Sequence, residues 1–169
     1  MNSPLHKDWP VHLLAAGLLP PIQFHQYLLI ERNGFPVAYC SWAYLNSATE
    51  AQYIVDPSMI KLEDWNRGDH LWFVDWVAPF SRKDSWEMKR LLVQKFPNEI
   101  ARAIRVKRDN KRAHVMHFKG TGVANEAAKQ QFEEYHREFL SACQSPKLAN
   151  SIKISPVKSV QSPVLKVNE

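Results

Sequence analysis

Asn33-Gly34 constrains this chain more than any other feature. Both residues tolerate positive φ, and the pair closes a two-residue hairpin when β-rich segments flank it. Tyr27 to Glu31 and Pro36 to Leu45 are such segments, so a tight antiparallel pair near the start of the chain is expected. One hairpin is not stable alone; it needs more strands and a covered face. Leu71 to Val77, Ile100 to Val106 and Ala113 to Phe118 read as three further strands, the last two joined by a basic, polar turn. A first helix is predicted with Asp8 as N-cap, Pro10 near its first turn and Val11, Leu14, Ala15 and Leu18 at helical spacing, stopping at Pro20-Pro21. Asp84-Ser85-Trp86-Glu87 has the form of a capping box and opens a helix with Met88, Leu91, Leu92 and Phe96 inward, until Pro97. A last helix runs from about Asn125 to Cys143 with Ala128, Phe132, Tyr135, Phe139 and Cys143 on one stripe. The expected class is α/β of the α+β type, a mostly antiparallel central sheet covered by helices.

At 169 residues, 45% apolar and 23% charged, the chain can bury one core. We divide it into a domain over residues 1–143 and a basic Ser/Pro-containing tail over 144–169. The tail repeats Ser155-Pro156-Val157-Lys158-Ser159-Val160 as Ser162-Pro163-Val164-Leu165-Lys166-Val167, and its prolines oppose helix and central strand alike. Disorder is expected there. No apolar run approaches the roughly 18–20 residues of a membrane span, and MNSPLHKDWP lacks the apolar block of a signal peptide. Cys40 and Cys143 have neither zinc-ribbon nor CxxC spacing and read as two reduced thiols in a cytosolic setting. The tail's four lysines against one glutamate account for +3 of the net +5, so the body is only mildly basic.

Three constellations could carry chemistry. Asp75 lies at the heart of an apolar strand, with Leu71, Phe73 and Val77 expected on its face and Trp72, Val74 and Trp76 on the other. A carboxylate placed there needs a cation or hydrogen-bond donors, and either a structural or a catalytic aspartate meets that description. His6 follows Ser3-Pro4 and precedes the first helix, a position that suits a cleft imidazole and equally an exposed one. Arg102, Arg105, Lys107, Arg108, Lys111 and Arg112 gather on the last hairpin, fitting a solvated turn or an acidic partner. Nucleic acid fits less well, since stacking aromatics are missing from the cluster. No HExxH-type metal spacing and no GxxxxGK[ST] phosphate loop occurs.

Ser3-Pro4-Leu5-His6, Trp9-Pro10, Pro36-Val37-Ala38-Tyr39-Cys40-Ser41-Trp42-Ala43, Gly68-Asp69, Trp72-Phe73-Val74-Asp75-Trp76-Val77-Ala78-Pro79-Phe80 and Arg102-Ala103-Ile104-Arg105-Val106 stand in order along the body. Together they resemble the RTX toxin-activating lysine acyltransferases. The resemblance implies a GNAT-like acyltransferase fold, a cytoplasmic setting, a homodimer, and transfer of a fatty acyl group from acyl-acyl carrier protein to internal lysines of an RTX protoxin. It also implies His6 and Asp75 as catalytic residues, Ser3 and Gly68 as auxiliary ones, and no bound cofactor; the histidine spacing argues against a metal. Because acyl carrier proteins are acidic, Lys107, Arg108, Lys111 and Arg112 are assigned to carrier docking. The competing classes are a non-catalytic adaptor or chaperone for an acidic protein and, from pI alone, a nucleic-acid-binding module.

Overall fold

The computed structural model describes residues 11–57, 60–106 and 113–142. Among the described residues four α-helices accompany one five-stranded sheet of order β1-β2-β3-β4-β5. In chain order the elements are α1 (Val11–Gln23), β1 (Tyr27–Arg32), β2 (Phe35–Leu45), α2 (Ser47–Val55), β3 (His70–Val77), α3 (Arg82–Lys95), β4 (Ile100–Val106), β5 (Ala113–Lys119) and α4 (Asn125–Ala142). This is the expected α+β class, and it is consistent with a GNAT-like fold. Three of the four neighbouring pairs are antiparallel; β3 and β4, joined through α3, are parallel.

Asn33 (φ 53°) and Gly34 (φ 77°) both take the left-handed conformation that the β1–β2 turn demands. Alternation along the strands then sorts their side chains onto two faces. Cys40, Trp42, Leu71, Phe73, Ala101 and Ala103 join Met88 and Leu92 of α3, and Phe96 just after it, in one cluster. On the opposite face Ala43, Leu45 and Trp72 meet Tyr53 of α2 and Trp65, and Ile100 meets Ala128 and Phe132 of α4. Among the described residues no helix is long and apolar enough to cross a membrane.

Three expectations need correction. α1 continues through Pro20 and Pro21 to Gln23. The two prolines lack donors, yet their carbonyls still accept from Phe24 N (2.9 Å) and Gln26 N (2.8 Å), so the last turn closes before His25 takes φ 53°. α3 starts at Arg82 with Ser81 as N-cap, its Oγ accepting from Lys83 N at 3.1 Å; Asp84 is buried and paired with Arg32 at 2.8 Å. α2 was not anticipated: Asn46 caps it, Oδ1 accepting from Thr49 N at 2.9 Å. The predicted tail and Cys143 lie outside the described residues.

Candidate active site

β2 and β3 pair as Trp42↔Phe73 and then Cys40↔Trp76, so the single residue Ser41 opposes both Val74 and Asp75. This β-bulge decides which way the carboxylate looks. Before it, Phe73 lies on the α3 face; after it, Trp76 returns to that face, 5.8 Å from Phe73 and stacked on Phe118 at 5.5 Å. Asp75 therefore leaves the face of Leu71 and Phe73, where strict alternation put it, and joins Ser41 on the opposite side. Ser41 is buried, accepts a hydrogen bond from Asp75 N (3.2 Å) and donates one to Asp75 Oδ2 (3.4 Å). The carboxylate itself is half-buried.

Its neighbours respond electrostatically. Burial, and next the charge of Asp75, push the Tyr39 hydroxyl up to about 12. The same two causes hold the Cys40 thiol well above its ordinary range. Cys40 is thus a protonated core residue and no thiolate nucleophile.

The parallel pairing of β3 and β4 covers only Leu71↔Ala101 to Phe73↔Ala103, although β3 runs on to Val77 and β4 to Val106. Beyond Phe73 the two strands part, and Asp75 stands beside the opening. Ala101 and Ala103 are small enough to let Phe73 and Trp76 reach Phe118 of β5 across β4, which closes the α3 side of this region.

Gly68 is not brought to Asp75. It sits before the other end of β3, roughly 20 Å away along an extended strand. A Cβ there would stand 2.0 Å from the Leu45 carbonyl carbon and 2.1 Å from Asn46 N, so glycine lets β3 enter against the β2–α2 junction. Ser3, His6, Lys107, Arg108, Lys111 and Arg112 lie outside the described residues.

Near that end of β3 is a buried ionic network that the sequence reading missed. Glu50 of α2 pairs with Arg102 of β4 and with His70 Nδ1, and accepts from Trp72 Nε1 at 3.2 Å. Arg102 lies between the rings of Trp72 (4.8 Å) and Tyr135 (4.6 Å). Glu138 of α4 reaches His70 Nε2 at 3.5 Å and accepts from Ser47 Oγ at 2.8 Å. Burial lowers the Arg102 guanidinium, and the charge of Glu50 opposes that shift. By sequence Arg102 belongs with the exposed basic turn; in the fold it is 5% exposed, whereas Arg105 faces solvent. An arginine alternating with Ala101 and Ala103 was the available signal, because a charge on a central strand demands a buried partner.

Residues 1–119 match the model of the RTX toxin acyltransferase family. The chain belongs to that family. Among its relatives, the protein-lysine palmitoyltransferase CyaC of Bordetella bronchiseptica is 45% identical over 141 residues, covering 83% of this chain and 76% of the relative. The protein-lysine myristoyltransferase RtxC of Kingella kingae is 43% identical, covering 83% of both chains. The protein-lysine myristoyltransferase HlyC of Escherichia coli is 42% identical over 140 residues, 83% of this chain and 81% of the relative. This family member is accordingly an acyltransferase, and the adaptor and nucleic-acid readings are not favoured.

Proposed function

We propose that this chain transfers a fatty acyl group from acyl-acyl carrier protein to ε-amino groups of internal lysines in an RTX protoxin. The observation that carries the reading is the placement of Asp75: a carboxylate held by Ser41 at a β-bulge, beside the point where two parallel strands separate. The activities for which the relatives are named support lysine as acceptor and a 14- or 16-carbon chain as the class of group moved.

A lysine amine with a pKa near 10.4 is about 99.9% protonated at pH 7 and must lose a proton before it attacks a thioester. His6 takes that proton. Asp75 fixes the imidazole tautomer and stabilises the imidazolium, as the third member of a triad does. Ser3 orients His6 or donates to the developing oxyanion. Transfer is direct, in a ternary complex: the amine nitrogen bonds to the acyl carbon, the carbon–sulfur bond breaks, and the carrier thiol leaves with a proton. Gly68 serves this site only through the seating of β3. Lys107, Arg108, Lys111 and Arg112 attract the acidic carrier. A homodimer in the cytoplasm belongs to the same proposal.

Incubating the protein with acyl-acyl carrier protein and protoxin should add one fatty acyl mass increment per modified lysine. Unmodified protoxin, or an increment on a residue other than lysine, refutes the reading.

A further inference from the structure

We propose that the solvent face of α3 is a further part of the docking surface for the acidic carrier that delivers the acyl group, in addition to Lys107, Arg108, Lys111 and Arg112; this rests on the donor named above. Asp84, Met88 and Leu92 are the buried residues of α3, so helical geometry turns Lys83, Trp86 and Arg90 directly outward, with Arg82 and Lys89 beside them. Both acids of the helix are drawn aside: Asp84 is buried against Arg32, and Glu87 reaches the same guanidinium at 3.4 Å. The exposed stripe carries positive charge alone, and among the described residues none of these four cations forms an ion pair. α4, on the opposite side of the sheet, exposes Glu126, Glu133 and Glu134 against Lys129 and Arg137. The excess of positive charge is therefore one-sided.

An aromatic anchor stands in the middle of the stripe. Trp86 is 57% exposed, with Lys89 Nζ 5.4 Å from its ring centroid. Tryptophan amid cations is a composition that concentrates binding energy at protein interfaces. A helix lying on a membrane buries a continuous apolar face, and the apolar face of α3 is already used against the sheet. An acidic protein is the occupant that this surface fits.

The location agrees. α3 is the crossover between parallel strands, so its first turn lies at the end of the sheet where β3 and β4 part beside Asp75. Val106 and Ala113, which flank the basic turn, end at the same edge.

The test measures initial transfer rates against acyl-acyl carrier protein concentration at low and high ionic strength, using the full chain. Lys83→Glu with Arg90→Glu should raise KM for the donor at least about tenfold and flatten its salt dependence. Trp86→Ala should raise KM without changing the salt dependence, and Lys129→Glu with Arg137→Glu on α4, the same change in net charge, should leave KM alone. Should the double reversal fold poorly by circular dichroism, Lys83→Gln with Arg90→Gln gives the same contrast at half the charge change. An unchanged donor KM in the α3 variants, with the wild type active, overturns this inference alone. No transfer by the wild type from any acyl-acyl carrier protein overturns the donor reading and this inference with it. Loss of binding to vesicles of one-quarter phosphatidylglycerol, with donor KM unchanged, would assign the face to a membrane instead.

Discussion

Glu50→Gln tests what holds the α4 side of the sheet together. Glu50 is 1% exposed and satisfies three groups at once: the Arg102 guanidinium, His70 Nδ1 and Trp72 Nε1. Glutamine keeps the volume and an acceptor for Trp72 but removes the charge, leaving Arg102, 5% exposed, without its buried counter-ion. Breaking one side of a buried ion pair costs about 3–5 kcal/mol, a large share of a total stability of roughly 5–15 kcal/mol. For a chain of this length about 2–4 °C of Tm is lost per kcal/mol, so the melting temperature should fall by roughly 6–20 °C. Glu138 cannot substitute in place, since its carboxylate is engaged by Ser47 Oγ and lies against His70 Nε2. Replacing both partners, Glu50→Leu with Arg102→Met, removes the two charges together and should recover most of the loss. Urea unfolding followed by tryptophan fluorescence measures both variants against the wild type. A Glu50→Gln loss below about 1 kcal/mol would mean that water or another carboxylate already serves Arg102.

Asp75→Asn should leave the melting temperature near that of the wild type and cut acyl transfer at least about 10²-fold, since loss of a triad-type aspartate costs on the order of 10⁴-fold in serine proteases. Near-wild-type turnover would remove it from the mechanism, and His6→Ala should be at least as severe. Gly68→Ala must displace backbone at the Leu45–Asn46 junction, so it should destabilise by several kcal/mol with a normal kcat in whatever fraction folds; a wild-type melting curve refutes the close approach. His117 is lowered to about 4 by burial first and by the Arg102 charge second. Below its ordinary 6.5 the unfolded chain takes up a proton that the folded one refuses, so this histidine removes stability as pH falls from about 6.5 to about 4. His117→Gln should flatten that limb in pH-dependent urea melts, and an unaltered limb would place the acid sensitivity elsewhere. Truncation after Gln144 should preserve folding and transfer, and loss of transfer by a folded truncate would give the tail a role in substrate docking.

Local signals made much of the fold legible. Asn33-Gly34 set a turn because few dipeptides accept two positive φ values, and the α4 stripe set a buried face because Ala128, Phe132 and Phe139 recur at helical spacing. What escaped depends on partners distant in sequence. α2 carries Glu50 and Thr49 inward, polar residues that read as loop until Arg102, 52 positions away, accounts for one of them. The helix through Pro20-Pro21 escaped because proline removes only its own donors while its carbonyls still serve residues further on. The strand Leu71 to Val77 was legible as a strand, yet the direction of Asp75 was not. A bulge shifts the phase of alternation, and only the pairing with Ser41 reveals it.

That phase shift explains how one strand serves two opposed demands. From His70 to Phe73, β3 is buried and braced by an ionic network drawn from α2, β4 and α4, and Leu71 to Phe73 pair with both neighbouring strands. From Val74 to Val77 every residue is partly exposed, and the pairing to β4 has ended. A reacting carboxylate needs both a fixed position and access, and these compete within a regular sheet: full pairing on both sides buries the group, whereas a free strand end leaves it unplaced. The bulge satisfies both at Asp75. Ser41, anchored in the paired β1–β2 hairpin, holds the backbone and carboxylate of Asp75 from one side while the separation of β3 and β4 opens the other. Rigidity at the Gly68 end of the strand is therefore part of the same design as the opening at the Asp75 end, because the strands can diverge reproducibly only from a point where they are clamped.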